Sequence, residues 1–111
     1  MDKENLIKVL LVEPFSKPKM ITIENNYQAI SEIICGDVDE YMPFEDDVAL
    51  LCNADGKRLS LSASHTVTDI ETGKTELIYG SFILIGASEF DDEYHSLDDD
   101  LIDKYMDLFS K

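Results

Sequence analysis

The chain has few cysteines and no long apolar run. Only two cysteines occur among 111 residues, Cys35 and Cys52, and both follow apolar residues. Small secreted domains that depend on disulfides carry more cysteines, so we expect two reduced thiols in the core. The first residues include acids, and no apolar stretch approaches the ~18 residues that mark a transmembrane helix. These features predict a cytoplasmic protein without a signal peptide or a membrane-spanning helix.

Positive charge is scarce. Nine Lys and Arg residues stand against 24 Asp and Glu residues, and the formal net charge is −15. Solubility of a small domain requires a net charge of only about 2 to 8, so solubility alone explains this value poorly. Nucleic acid and anionic membranes are polyanions and would be repelled, whereas a basic protein surface would be attracted. We therefore expect a protein partner with a basic surface, no direct nucleic-acid partner and no membrane partner. Adaptation of the protein to a salt-rich host cell is a simpler alternative explanation of this charge.

The motifs that usually mark catalysis, metal binding or nucleotide binding are missing. The sequence has no GxGxxG or Walker loop, and its two histidines, His65 and His95, stand apart from the cysteines. The acid-rich segment 90–100 contains no glycine, which an EF-hand loop requires at its sixth position. Ser64 and His65 would supply a nucleophile and a base only if an acid and an oxyanion hole converged on them. We expect a non-enzyme with no catalytic residue, no metal site and no cofactor.

The apolar content is sufficient for one folded core. Hydrophobic residues make up 44% of the chain, and its length suits a single domain over residues 1–111. Apolar runs and polar–apolar alternation predict strands at 6–12, 19–24, 38–44, 47–53 and 77–86. Helical spacing predicts a short helix over about 26–35 and an acidic amphipathic helix over about 96–109. The expected fold class is α+β, with a mainly antiparallel twisted sheet.

Turn and cap residues set the expected boundaries of these elements. Asn25 or Asn26 should cap the first helix, and Gly36 should end it. Ser96 should cap the last helix. Asp55-Gly56 should form a hairpin turn after the strand at 47–53. Residues 62–75 are polar and are expected to form a loop or a poor edge strand. Gly80 is expected to mark a bulge or bend within the strand at 77–86.

The C-terminal helix divides into an apolar half and an acidic half on a helical wheel. Its apolar half contains Leu97, Leu101, Ile102, Tyr105, Met106, Leu108 and Phe109. The candidate partner-binding surface combines its acidic half with two further acidic clusters, and consists of Asp37, Asp39, Glu40, Glu45, Asp46, Asp47, Glu89, Asp91, Asp92, Glu93, Asp99, Asp100, Asp103 and Asp107. We predict that these clusters lie on a common face. A merely solvated outer face is the competing interpretation.

Four segments of the chain are similar to one known family. KVLLVEP, YMPFEDDVALLCNADGK, IYGSFILIG and SLDDDLIDKYMDLF resemble segments of short bacterial and phage proteins known only as a domain of unknown function. The resemblance covers approximately residues 8–109, and its most specific part is the stretch 43–57. It implies no reaction and no site residue. What it implies is a context, because such proteins recur on phages and mobile elements.

The resemblance and the charge together lead to three hypotheses of function. The first is a non-catalytic binding protein of a phage or mobile element, an anti-defence inhibitor that binds a nucleic-acid-handling host enzyme through its acidic surface. The second is a regulatory or housekeeping adaptor that binds a protein partner through another face, with the charge serving only solubility. The third is a small hydrolase or metal-dependent enzyme that uses the segment 62–75.

Overall fold

The computed structural model describes residues 6–88, 90 and 92–110. In chain order its elements are β1 (Leu6–Val12), β2 (Lys19–Glu24), α1 (Tyr27–Ile34), β3 (Val38–Tyr41), β4 (Val48–Asn53), β5 (Ala63–Thr68), β6 (Thr75–Tyr79), β7 (Phe82–Gly86) and α2 (Asp99–Leu108). Five strands form an antiparallel sheet in the order β2-β1-β7-β4-β3, and β5 pairs with β6 in a second, two-stranded sheet. The predicted α+β class with a mainly antiparallel sheet is confirmed.

Strands β4 and β7 lie inside the larger sheet and are buried along their whole length. Their residues are apolar almost without interruption, as expected for strands covered on both faces. Side chains alternate between the faces, so Leu84 belongs to one core cluster and its neighbour Ile83 to the other. The sheet therefore has two apolar faces, and each requires its own cover.

Helix α1 covers one face of the sheet. Ile30 and Ile34 are its buried residues and pack in the core cluster that contains Ile83. The helix begins where the sequence predicts, because the side-chain oxygen of Asn26 accepts a hydrogen bond from the backbone N–H of Ala29 at 2.8 Å.

The end of helix α1 differs from the expectation by one residue. Cys35, and not Gly36, is the C-cap, with a left-handed φ of 70° and its N–H bonded to the carbonyl of Ser31. The thiol of Cys35 is therefore at the surface, and the prediction that it lies in the core is wrong. Cys52 is buried as predicted, and both thiols are free.

Helix α2 and the β5–β6 hairpin cover the opposite face. Ile102, Tyr105 and Phe109 are buried there, and the ring of Phe109 lies 5.3 Å from that of Phe82 in an edge-on arrangement. Docking of the helix by its apolar half is thus as predicted, although Leu108 is 49% exposed.

The start of helix α2 differs from the prediction, because the helix begins at Asp99 and its N-cap is Asp98. Ser96 does not cap it. The hydroxyl oxygen of Ser96 instead accepts a hydrogen bond from the backbone N–H of Lys8 at 2.9 Å.

The predicted hairpin at Asp55-Gly56 is wrong. Strand β4 pairs with β3 on one edge and β7 on the other, so the following segment has no edge of β4 to join. The chain passes instead to the second sheet, and Gly56 packs against it: a Cβ atom at this position would lie 2.7 Å from the carbonyl oxygen of Tyr79.

Three other boundaries differ from the sequence-based expectation. Residues 62–75 contain strand β5, which agrees with the edge-strand alternative and not with a loop. The predicted strand 77–86 is divided at Gly80, whose φ of +85° sends the chain from the second sheet into the first. The predicted strand 38–44 ends at Tyr41.

The packing of helix α2 predicts a contrast between two neighbouring residues. Phe109→Asp places a charge without a partner in the apolar cluster and should lower the free energy of unfolding by about 3 kcal/mol or more. Leu108→Asp, at the exposed neighbouring position, should cost less than about 1 kcal/mol. Urea denaturation followed by circular dichroism measures both. Equal losses would show that the helix does not dock through Phe109.

Candidate functional site

The strand register gathers many of the carboxylates at one end of the larger sheet. Val48 pairs with Gly86, so β4 begins at the end of the sheet where β7 finishes. Helix α2 also starts there, after the connection that follows β7. This end is named the acidic end and carries Glu40, Glu45, Asp46, Asp47, Asp92, Glu93, Asp98, Asp99 and Asp100.

Basic residues lie at the opposite end of the same sheet. Val12 pairs with Phe82, which places the β1–β2 turn and the segment after β4 together at that end. Lys17 and Lys19 belong to the first of these segments, and Lys57 and Arg58 to the second. Lys8 and Lys104 lie at the acidic end, and Glu13 and Asp55 pair with Lys19 and Arg58 at the opposite end. Among the described residues the excess of carboxylates nevertheless lies toward the acidic end.

The prediction of a common acidic face applies to only part of the candidate surface. Asp37 lies at the opposite end, since its carbonyl oxygen accepts a hydrogen bond from the N–H of Ala54 just after β4. Asp39 faces a cavity beside the second sheet, together with Asp69 and Glu76. The candidates Glu89 and Asp91 lie outside the described residues.

Helix α2 stays beside the acidic end as far as Lys104, which contacts Glu45 and Asp46. Asp103 therefore lies near the acidic end with Asp99 and Asp100. At 1.5 Å rise per residue, Asp107 is about 12 Å further along the axis than Asp99.

Asp46 and Asp99 are carboxylates of the acidic end that pair with lysines of the same chain. Asp46 accepts hydrogen bonds from the ammonium group of Lys104 at 2.6 Å and from the hydroxyl of Tyr105 at 2.7 Å. The hydrogen bond from Lys104, followed by that from Tyr105, lowers the pKa of Asp46. Asp99 forms an ion pair with Lys8 at 2.9 Å. Both contacts attach helix α2 to the sheet, so these two residues have a structural role.

Backbone hydrogen bonds join the two ends of the segment that connects β7 to α2. Gly86 and His95 exchange two backbone hydrogen bonds of 3.0 and 2.8 Å, and the N–H of Leu97 bonds to the carbonyl of Lys8 at 2.8 Å. A Cβ atom on Gly86 would lie 2.6 Å from the carbonyl oxygen of Ser96, so the close approach requires glycine. The bridge holds Asp92 and Glu93 near the end of the sheet.

A cleft opens at the acidic end and extends along strand β3 as far as Val38, between the start of helix α1, this strand and the residues before His95. Its volume is about 530 Å³. Apolar side chains of Ile30, Val38 and Leu51 line it, together with polar and aromatic residues Asn25, Asn26, Tyr27, Glu40, Asp92, Glu93 and Tyr94. An apolar lining combined with a few polar groups is typical of binding sites.

Hydrogen bonds fix the walls of this cleft. The side-chain N–H of Asn25 donates to the carbonyl oxygen of Tyr94 at 2.9 Å, and the hydroxyl of Tyr27 accepts from the N–H of Val38 at 3.3 Å. The phenol of Tyr94 is hydrogen-bonded to Glu40; burial, and then this bond, raise the pKa of Tyr94. The site is thus built on contacts between the helix, the edge strand and the segment before α2.

Sequence reasoning identified the carboxylates of the cleft but not its other residues. The sequence predicts Asn25 or Asn26 only as a helix cap and Tyr27 only as part of the apolar spacing of the helix. It gives no signal that Tyr94, a lone aromatic residue within an acidic segment, belongs to a site.

The Ser64-His65 pair is not arranged for catalysis. The hydroxyl of Ser64 is buried and has no hydrogen-bond partner in the described part of the chain. The ring of His65 packs edge-on against Phe109 at 5.2 Å and Phe82 at 6.3 Å. The histidine therefore contributes to the aromatic core and makes no hydrogen bond to the serine.

The described residues contain neither a candidate metal cluster nor a helix that could span a membrane. Within residues 6–88, 90 and 92–110, no group of three or more His, Cys, Asp or Glu side chains is arranged to hold a metal ion. Neither α1 nor α2 has the length and apolar character that a membrane-spanning helix requires.

Comparison with family models gives one match, to the family described as domain of unknown function (DUF3846), over residues 7–110. The chain belongs to this family. The DUF3846 match includes the acidic end, the cleft and both helices, and it confirms the resemblance to a domain of unknown function. Comparisons with curated proteins and with solved structures gave no match.

The contact between Asp46 and helix α2 predicts a pH dependence of stability. Because the folded-state pKa of Asp46 lies below the ordinary value of 3.8, its stabilising contribution is fully present above that value. The contribution is lost as the pH falls through the folded-state pKa. Asp46→Asn should therefore be less stable than the wild type at pH 7, and the difference should shrink below about pH 4.

Urea denaturation from pH 7 to pH 2 measures this difference. Asp47→Asn is the matched control, because its neighbouring side chain is exposed. A difference between Asp46→Asn and the wild type that stays constant over this range would contradict the assignment.

Proposed function

We propose that this DUF3846 protein is a non-catalytic binding protein whose acidic end docks on a basic surface of a partner protein. The observation that carries the proposal is the convergence of carboxylates from β3, the β3–β4 turn, the segment before α2 and the first turn of α2. These segments are distant in sequence and meet only in the fold.

The separation of charge along the sheet supports the proposal physically. A net charge of −15 attracts any basic surface, but an uneven distribution also orients the molecule as it approaches. With bases such as Lys17 and Lys57 at the opposite end, the acidic end is the one that turns toward a positive surface. Orientation of this kind raises association rates and makes them sensitive to salt.

A narrower form of the proposal is the anti-defence inhibitor that occupies the nucleic-acid surface of a host enzyme. A stripe such as Asp99, Asp103 and Asp107 repeats every ~6 Å, given the rise of an α-helix. Duplex DNA carries one charge per ~1.7 Å of its axis, so helix α2 alone is too sparse to imitate it. Mimicry would require the acidic end as a whole, including Glu45, Asp47 and Asp98.

The competing proposal is an adaptor that binds through another face, with its charge serving only solubility. The two proposals differ in whether the position of the carboxylates matters or only their number. This difference can be measured once a partner has been purified from the natural host by co-purification and cross-linking.

The test compares two triple variants that remove the same charge. The first, Glu45→Gln with Asp47→Asn and Asp98→Asn, neutralises the acidic end while leaving Asp46 and its contacts intact. The side chain of Asp98 makes no capping hydrogen bond, so folding should be preserved. The control, Glu32→Gln with Asp37→Asn and Glu76→Gln, neutralises exposed carboxylates elsewhere.

We expect the first triple variant to slow association by about tenfold at low salt and to flatten the salt dependence of the rate. The control should change the rate by less than about twofold. Stopped-flow or surface plasmon resonance with the purified partner measures both. Equal effects of the two variants would favour the adaptor.

A further inference from the structure

The cleft at the acidic end combines two surfaces of different chemistry. Val38 is half-buried and packs on the core cluster beneath α1, to which the buried residues Ile30 and Leu51 belong. Val38 and the ring of Tyr27 therefore give the cleft its accessible apolar part. Glu40, Asp92 and Glu93 add carboxylates to the same cleft. A ligand that satisfies both must have an apolar portion joined to a positively charged group.

Tyr27 adds a third requirement for the ligand. Tyr27 is 59% exposed at the start of helix α1, so an aromatic surface is accessible in the wall of the cleft. Its hydroxyl is held by the N–H of Val38, which fixes the side chain against the edge strand. An exposed aromatic ring beside carboxylates favours a planar cation that stacks on the ring while bonding to oxygen.

The lining supplies no positive charge of its own. Among the described residues that line the cleft there is neither lysine nor arginine. A positive charge for Glu40 and Asp92 would therefore have to come from outside the lining. Asp46 and Asp99 nearby differ in this respect, because Lys104 and Lys8 pair with them.

We propose that the cleft receives one arginine side chain of the partner protein. The inference rests on the proposed function and names the group that anchors the partner. The aliphatic stem lies on the apolar part of the cleft, and the guanidinium group reaches Glu40 and Asp92 beside the ring of Tyr27. A cleft of about 530 Å³ lies within the ~300–1,000 Å³ typical of binding sites, so stem and head group fit together.

Arginine suits this site better than lysine. A guanidinium group is planar, bonds to carboxylates through two parallel N–H groups and is more weakly hydrated than an ammonium group. It can therefore stack on an aromatic ring and leave water at a smaller cost. Both side chains can bury their aliphatic stems, so the preference depends on the head group.

The test uses N-acetyl-arginine amide as the probe and the complete protein chain as the receptor. Nuclear magnetic resonance spectra of the ¹⁵N-labelled protein are recorded during titration. The matched control probe is N-acetyl-citrulline amide, which has nearly the same shape without the charge. We expect saturable shifts confined to resonances of the cleft, among them Tyr27, Val38 and Tyr94, and binding of citrulline weaker by about tenfold or more.

Two variants test the roles of the carboxylate and the ring. Glu40→Gln keeps an oxygen that can accept the hydrogen bond of Tyr94 but loses the charge, and should weaken arginine binding by about fivefold or more. Tyr27→Leu keeps apolar area but removes the ring and should reduce the preference for arginine over N-acetyl-lysine amide. Glu76→Gln, an exposed glutamate of β6, is the control and should leave binding unchanged.

Three results would overturn the inference: shifts spread over all exposed carboxylates without saturation, equal binding of citrulline, or equal losses in Glu40→Gln and Glu76→Gln.

The outcome of this test is separable from that of the proposed function. If the probe does not bind in the cleft while the acidic-end triple variant still slows association with the partner, only the arginine inference is wrong. If the probe binds as expected while that triple variant matches its control, the proposed role of the acidic end is wrong and the cleft remains an arginine site.

Discussion

Strand β7 is buried on both faces and paired on both edges, and this constraint organises the rest of the molecule. Its residues Phe82 to Ile85 have no exposed surface. A strand of this kind requires two apolar layers, one above and one below the sheet. Helix α1 supplies one layer, and the other is shared by helix α2 and the β5–β6 hairpin. Each layer is needed because burial of the apolar surface is the main favourable contribution to folding.

The same constraint determines where charge can lie. A charge without a partner inside either layer would be costly, and no acidic residue in the described part of the chain is buried there. The antiparallel register then decides which of these positions become neighbours. Asp46 comes closer to the apolar layer under helix α2 than an unpaired carboxylate could. This is possible because Lys104 and Tyr105 both donate hydrogen bonds to its carboxylate.

Local features were predictable from the sequence, and long-range ones were not. The bounds of β1 and the Asn26 cap follow from apolar runs and cap chemistry within a few residues. The apolar stretch 77–86 is divided at Gly80 between two different sheets. This division depends on which strands pair with the two edges of β4, and the local sequence does not show which strands those are. The candidate site shows the same difference between local and long-range features. Its carboxylates are evident in the sequence, whereas the meeting of Tyr27 and Tyr94 in one cleft follows only from the strand register of the folded chain.

The bridge between Gly86 and His95 separates the sheet from the segment that it encloses. Its hydrogen bonds and the close approach at Gly86 belong to the sheet and tolerate little change. The enclosed segment begins and ends at neighbouring points, so changes of its sequence or length should leave the strand register intact. The surface of the acidic end can therefore be redesigned in this segment while the sheet is kept as a fixed scaffold.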